Sequence, residues 1–302
     1  MTRILLTGGS GFLGQNMIPS LAEKYDVFVG YFAHVPPSVH GSPVAVDITR
    51  DEEISHCLRL IRPDLVVHAA AMAKPDECER NPREARRLIV EGTRNVARLC
   101  REHSCRLVHV STDLVFDGRR GSYTENDPVG APGVYAGSKV EAERIVQAVT
   151  PSATILRVAL LYGFGTGARP GYIGRTLQSW RAGTAGVFFT DQYRTPLFAP
   201  QAADIIDALV THPDFNGILH AGGGERVSRF RFAQLLAERV NAPAELIHPG
   251  SMWENNAAAP RGADCSLISL RLERELRIKP LTCSEGLDLL VGAGYLRSLA
   301  GA

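Results

Sequence analysis

The chain has no apolar stretch long enough to span a bilayer, no block of like charge and no Cys-x-x-Cys pair. The first absence excludes a spanning helix. Met1-Thr2-Arg3 leads straight into a short apolar run that meets Gly8 and Gly9, so no signal-peptide core is expected and a cytoplasmic setting is. With 33 basic against 32 acidic side chains and a net charge of +1, no basic track exists to follow a phosphate backbone, and nucleic acid is not an expected partner. The six cysteines (Cys57, Cys78, Cys100, Cys105, Cys265 and Cys283) are scattered, and Cys100 and Cys105 lack matching His or Cys residues at zinc-ligand spacing. They read as reduced thiols acting as small buried hydrophobes, with no metal.

What is present is an ordinary globular composition: 302 residues, 45% hydrophobic, enough to divide a large core between two lobes. Arg3 to Thr7 reads as a strand, and Phe12 to Lys24 spaces Leu13, Met17, Ile18 and Leu21 at helical intervals. The alternation continues with strands at 27–32 and 44–46, a helix at 51–60, a strand at 65–68, a long helix at 83–103, a strand at 106–111, a helix at 135–149 and a strand at 154–158. Strands separated by helices predict an α/β fold, a doubly wound parallel-sheet Rossmann domain over residues 1–160. Glycines and Pro170 crowd residues 163–174, where one regular element is not expected, and a smaller substrate-binding lobe is placed at 161–302. Within it 202–210 and 229–240 read as helices and 221–225 as a glycine turn; part of 196–225 is allowed to pack back on the first domain.

Thr7-Gly8-Gly9-Ser10-Gly11-Phe12-Leu13-Gly14 sets Gly8, Gly11 and Gly14 three apart between the first strand and the first helix. Glycine lets the backbone approach a pyrophosphate, and the helix N-terminus offers free N–H groups and a favourable dipole. NAD(P) is therefore the expected cofactor, on Gly8, Gly11, Phe12, Leu13 and Gly14. The second strand ends Gly30-Tyr31-Phe32-Ala33-His34, without the acid that usually accepts from the adenosine ribose, so the choice leans to NADP(H) over NAD(H), although no arginine stands there either. Asp47-Ile48 after the third strand offers an acceptor for the adenine, or equally a turn residue ahead of a helix.

Tyr135 and Lys139 lie four apart at a helix start, on one face, and follow the strand end Ser111-Thr112-Asp113. An ammonium near the phenol is expected to lower its pKa so that it trades a proton with a carbonyl oxygen, while the Thr112 hydroxyl bonds the same oxygen. Thr112, Tyr135 and Lys139 are the expected catalytic residues.

The glycine turn, Arg62-Pro63-Asp64 before His68-Ala69-Ala70-Ala71, the run Val108 to Gly118, Tyr135 with Lys139, Asp191-Gln192-Tyr193-Arg194-Thr195-Pro196 and the stretch Arg261 to Leu267 together resemble the dTDP-4-dehydrorhamnose reductase branch of extended short-chain dehydrogenases. The resemblance spans nearly the whole chain. It implies that Thr112 and Tyr135 hold a substrate carbonyl, that Lys139 binds the nicotinamide ribose, and that Ala69, Ala70 and Ala71 line the cofactor. It implies reduction by NAD(P)H of a 4-keto group on a nucleotide-activated deoxysugar, with Asp113, Arg194 and Arg261 as substrate contacts, the arginines at the pyrophosphate. The chain departs from the branch at Leu114, Leu160 and Leu161, where aromatic residues are usual, at Ile89 in place of an asparagine, and in 260–267, which lacks a second proline and a second arginine. Two other readings stay open: a nucleotide-sugar epimerase or dehydratase on the same fold, and a non-catalytic regulatory subunit resembling that of methionine adenosyltransferase. The partner expected is a nucleotide-sugar small molecule, and a homodimer is left open.

Overall fold

The computed structural model describes residues 1–35, 40–166, 169–254 and 257–296. The chain opens with β1 (Arg3–Thr7), α1 (Phe12–Ala22), β2 (Asp26–Tyr31), β3 (Ser42–Ala45), α2 (Asp51–Ile61) and β4 (Leu65–His68). Next come the short helices α3 (Pro75–Arg80) and α4 (Pro82–Arg86), then α5 (Gly92–Glu102), β5 (Arg106–Thr112), α6 (Gly133–Val149) and β6 (Thr154–Val158). The second half adds β7 (Leu161–Tyr162), α7 (Gly171–Arg181), β8 (Gly186–Phe189), β9 (Tyr193–Arg194), β10 (Leu197–Phe198), α8 (Gln201–Thr211) and β11 (Gly217–Ala221). It ends with β12 (Val227–Ser228), α9 (Arg229–Val240), β13 (Ile247–Gly250), α10 (Leu270–Leu276) and α11 (Cys283–Gly292).

Seven strands form one sheet in the order β3-β2-β1-β4-β5-β6-β11, and every neighbouring pair is parallel. Period-two alternation sends Ile4 and Leu6 into one apolar layer, with Met17 and Leu21 of α1 and Ile205 and Leu209 of α8. Leu5 and Val66 go to the opposite layer, with Leu58 of α2, Val96 of α5 and Val146 of α6. Burial on both faces explains why these strands read as continuous apolar runs. Strand order reverses between β1 and β4, which opens a crevice beyond their carboxyl ends.

The chain crosses the boundary drawn at residue 160 more than once. β11 adds to β6 from Gly217 opposite Thr154 to Ala221 opposite Val158, and α8 packs beside α1. What remains outside the sheet is a lobe of two-stranded pairs (β7 with β10, β9 with β12, β8 with β13) around its own core of Tyr162, Trp180, Phe188, Phe232 and Leu287.

Two expectations change. The long helix at 83–103 is interrupted by a π-helical turn at Arg87–Glu91. That wider turn delivers Gly92 against Ile48, where a Cβ would come within 2.7 Å of the isoleucine side chain. The glycine-rich stretch also gives way to a helix not expected there: Gly171 takes a φ of 66° and opens α7, whose buried Ile173, Leu177 and Trp180 stand at helical spacing.

Candidate active site

The end of β1 and the exit of β4 lie backbone against backbone. Gly8 adopts a φ of 72°, and a Cβ there would come within 2.7 Å of Ala70 backbone atoms. A Cβ on Gly14 would overlap the backbone of Gly9, so the start of α1 folds directly onto the turn. Gly11 differs: at φ −77° its backbone suits any residue, and a Cβ would approach only the Gly8 carbonyl, at 3.0 Å. Packing therefore requires Gly8 and Gly14, whereas Gly11 keeps open the mouth of the cradle. The first-turn N–H groups of α1 have no acceptor within their own helix. With Ala69, Ala70 and Ala71 partly exposed opposite, this cradle fits a dinucleotide pyrophosphate. Leu13 is buried beneath it, and Phe12 lies against Gly171, tying the cradle to the second lobe.

A buried chain of hydrogen bonds holds the cradle from below. The Thr7 hydroxyl meets His68 Nδ1 at 2.7 Å, and His68 Nε2 meets the Thr93 hydroxyl at 3.1 Å. Burial, aided by the Lys139 ammonium, pushes the His68 pKa down to about 3, so the ring stays neutral and keeps one donor and one acceptor for its two threonines. Its neighbour His109, with ring centroids 5.4 Å apart, is also driven neutral by burial.

At the adenosine side, Tyr31 is partly buried, and Phe32, Ala33 and His34 are exposed. Asp47 does what a turn residue does: Oδ1 accepts from the Thr49 N–H at 2.9 Å and from the Thr49 hydroxyl at 2.7 Å. Ile48 is buried, and its carbonyl accepts from Asn95.

The reacting groups gather where β5 ends and α6 begins. Gly133 turns the chain at φ 80°, after which Tyr135 and Lys139 follow one turn apart. Lys139 is buried and donates to the Val110 carbonyl at 2.7 Å. Thr112 donates to Asp113 Oδ1 at 3.1 Å and accepts from the Leu114 N–H at 3.2 Å.

The phenol does not behave as its spacing from Lys139 suggested. Burial and the Asp113 carboxylate push the Tyr135 pKa up, with the Thr112 hydroxyl working in the opposite direction. The Lys139 ammonium is turned instead to the Val110 backbone carbonyl. Burial also lowers Lys139 to about 8, against the pull of Glu143.

Glu143 was not singled out in the sequence. One helical turn beyond Lys139, it accepts from the Ser111 hydroxyl at 2.5 Å and from Arg157 Nη2 at 2.8 Å and Nε at 3.0 Å. Arg157 continues to His220 Nε2 at 3.3 Å. The signal was legible: the four-residue step from Tyr135 to Lys139 repeats to Glu143, on the same helix face.

The three expected substrate contacts are largely committed within the protein. Asp113 is buried with Oδ2 3.6 Å from Arg194 Nε. Arg194 donates to the carbonyls of Tyr193 at 2.5 Å, Gly262 at 3.0 Å and Ala263 at 3.3 Å, bracing β9 against the 260–265 segment. Arg261 pairs with Asp76 of α3 at 2.6 Å and donates to the Ala259 carbonyl. Arg261 nevertheless lines a pocket with Leu114, Tyr135, Ala136, Ala259 and Pro260, next to the phenol.

Comparison with known proteins decides the family. The RmlD substrate binding domain family matches residues 1–294. The chain belongs to this family. The probable low-salt glycan biosynthesis reductase Agl14 of Haloferax volcanii is 30% identical over 295 residues, covering 95% of this chain and 97% of that protein. The probable dTDP-4,6-dihydroxy-2-methyloxan-3-one 4-ketoreductase of Streptomyces antibioticus is 32% identical, with 86% and 85% covered. Among solved structures, the dTDP-4-dehydrorhamnose reductase of Bacillus anthracis in complex with NADP superposes with a TM-score of 0.86 at 25% identity, covering 97% of this chain and all of that one. The likeness extends to the large parallel sheet flanked by helices.

Proposed function

We propose that this protein is an NAD(P)H-dependent reductase of a 4-keto group on a nucleotide-activated deoxysugar. The observation that carries the reading is the convergence of Thr112, Tyr135 and Lys139 at the carboxyl end of β5, beside the glycine cradle at the switch point of the sheet. Residues 1–160 hold the cofactor and 161–302 most of the substrate, with β11 returning to complete the sheet.

Gly8, Gly11, Phe12, Leu13 and Gly14 would hold the dinucleotide diphosphate, Ala69 to Ala71 its flank, and Lys139 the ribose. When bound, NAD(P)H supplies a hydride. The absence of both a carboxylate and an arginine at 31–34 supports acceptance of NADPH and NADH alike, with the lean towards NADP(H).

The protein's own part is to hold the carbonyl and to give it a proton. The Tyr135 phenol offers its O–H to the carbonyl oxygen, and the Thr112 hydroxyl, which donates to Asp113 in the ligand-free protein, would turn its proton to the same oxygen. Its raised pKa keeps the Tyr135 phenol protonated at neutral pH. An oxygen becoming an alkoxide is a stronger base than a phenolate, so the proton passes from Tyr135 to it as negative charge builds. Lys139 lies beneath and places positive charge under the resulting phenolate.

Asp113 supports a reductase over an epimerase or dehydratase. Its carboxyl is buried, takes the Thr112 hydroxyl and faces Arg194, so it braces the site and is not presented as a second base. Balanced charge supports a small-molecule partner over nucleic acid. Six free, buried cysteines support a reducing, cytoplasmic setting, and among the described residues no helix is long and apolar enough to cross a membrane.

The test is NADPH consumption by the purified protein in the presence of 4-keto nucleotide sugars. Turnover by the wild type and its loss in Tyr135→Phe support the reading. No turnover with any such sugar, together with stable association with a larger enzyme, supports a regulatory subunit instead.

A further inference from the structure

Three arginines fall within six residues at the start of α9, and their partners differ. Arg226 pairs with Asp264 at 2.7 Å and stacks 3.7 Å above the Tyr193 ring. Arg231 pairs with Glu238 at 3.1 Å. Arg229, between them, has no carboxylate among the described residues: its guanidinium lies 4.0 Å above the ring of Tyr172, and only its backbone N–H is bonded, to the Gln192 carbonyl at 2.9 Å.

The polar atoms of the same neighbourhood are also unmatched. Among the described residues the Tyr172 hydroxyl and Gln192 Nε2 are buried without a hydrogen-bond partner, and Gln192 is only 6% exposed. With Arg229 they present a guanidinium, a phenolic O–H and an amide N–H, which can all donate, while the unmatched acceptor nearby, Asp113 Oδ2, faces Arg194 at 3.6 Å. A buried donor left unbonded costs free energy, so a site that collects such donors is complete only with an acceptor.

Charge points the same way. Arg175, one turn beyond Tyr172 on α7, and Arg194 are the like charges felt by Arg229, and Asp113 is the carboxylate felt there. Burial and these like charges lower the Arg229 pKa. The like charges named here outnumber the carboxylate, which favours an anionic ligand such as a diphosphate. Asp113 is also felt by the Tyr135 phenol, which puts this cluster and the reacting groups on either hand of one residue.

We infer that Arg229, with Tyr172, Gln192 and Arg175, forms a diphosphate-binding site in the second lobe that anchors the substrate's nucleotide half. This replaces Arg194 and Arg261, whose guanidiniums already serve protein carbonyls and Asp76. The identity of the anion rests on the nucleotide-sugar reading; the site itself does not. A planar fork suits two phosphoryl oxygens at once, which a lysine at this position would not match.

The experiment measures binding of inorganic pyrophosphate and of dTDP and UDP by calorimetry to the protein saturated with NADP+, so that the glycine cradle is already filled. It compares wild type, Arg229→Gln, Arg229→Lys, Tyr172→Phe and the control Arg231→Gln, with a melting curve for each. The expected result is a loss of affinity for every diphosphate of about tenfold to a hundredfold in Arg229→Gln. A smaller loss is expected in Tyr172→Phe, partial recovery in Arg229→Lys, and none in Arg231→Gln. Steady-state kinetics should show KM rising with kcat less affected. Equal affinities in wild type and a folded Arg229→Gln would overturn the site, even if 4-keto sugars are reduced. Arg229-dependent diphosphate binding without any sugar reduction would leave the site standing and remove the reductase reading.

Discussion

On the cofactor side of the cleft, backbone lies on backbone. Gly8 rests on Ala70, Gly14 on Gly9, and His68 satisfies two threonines at once. Across the cleft the second lobe presents long side chains whose polar ends are only partly matched, with Arg229, Tyr172 and Gln192 unbonded and Asp113 held 3.6 Å from Arg194. The first is set by backbone contacts, with His109 the exception, its two ring nitrogens buried without a partner among the described residues; the second leaves several side-chain donors unmatched. A rigid cradle can then hold one cofactor, while specificity for the sugar is set by side chains that substitution can change without disturbing the sheet.

The largest expected effect lies between the two sides. Tyr135→Phe removes the proton donor and should lower turnover by about two to four orders of magnitude, with cofactor affinity nearly unchanged. Rate and dissociation constants measured on one preparation separate the two quantities; equal losses in both would mean that the phenol serves the cradle and not the carbonyl.

The glycines break the comparison within the cradle itself. Gly11→Val should fold with a near-normal melting temperature and lose cofactor affinity. Gly8→Ala should lose stability first, because a left-handed φ of 72° disfavours a side chain by about 1–2 kcal/mol before the overlap with Ala70 is added. Melting curves with and without NADPH distinguish them, and similar melting losses for both would contradict the division of roles.

Glu143→Gln probes the layer beneath both sides. Glu143 and Arg157 are both buried, and removing the carboxylate charge leaves the guanidinium uncompensated, a loss of about 3 kcal/mol. Lys139, already lowered to about 8 by burial, loses the one charge that raised it. Because the ammonium disappears as pH rises through that value, turnover should fall above about pH 8, and in Glu143→Gln the fall should begin at lower pH. The same depressed pKa means that the charged lysine weakens the fold below pH 8, a penalty relieved as pH rises towards the ordinary value of 10.5. An alkaline limb that does not move would show that Lys139 is not the group titrating.

The smallest effect is expected at His34. It is exposed, and no carboxylate or arginine stands with it at the end of β2. Affinities for NADPH and NADH should differ by less than about a hundredfold, since only strong charge-assisted bonds separate them further. His34→Ala should change that ratio by less than about threefold, because the side chain is exposed. A thousandfold preference would place a charged reader of the ribose elsewhere.

The parts that were legible in the sequence are those that local chemistry determines. Short continuous apolar runs between helical stretches gave the parallel strands, and a strand, three spaced glycines and a helix gave the cradle, because each signal lies within a dozen residues. Tyr135 and Lys139 were legible for the same reason. What escaped depends on contacts between distant segments. Arg194 looked like a free phosphate-binding fork until the 260–265 segment was seen to supply its carbonyl acceptors, some 70 residues away. Arg229 was indistinguishable from Arg226 and Arg231 until their carboxylates were located. The direction of the Tyr135 shift was misjudged because spacing along a helix says nothing of how deeply the phenol is buried.

Hydride is expected to reach the C4 carbon of a nucleotide-bound sugar at the Thr112–Tyr135 centre. The most direct measurement is a single turnover with NADPH deuterated at the transferable position and a dTDP-4-keto-6-deoxysugar, the product read by nuclear magnetic resonance. The account predicts deuterium at C4 of the sugar in stoichiometric amount, and almost none with Tyr135→Phe over the same time. Deuterium absent from C4 in the presence of bound cofactor and bound nucleotide sugar would contradict it.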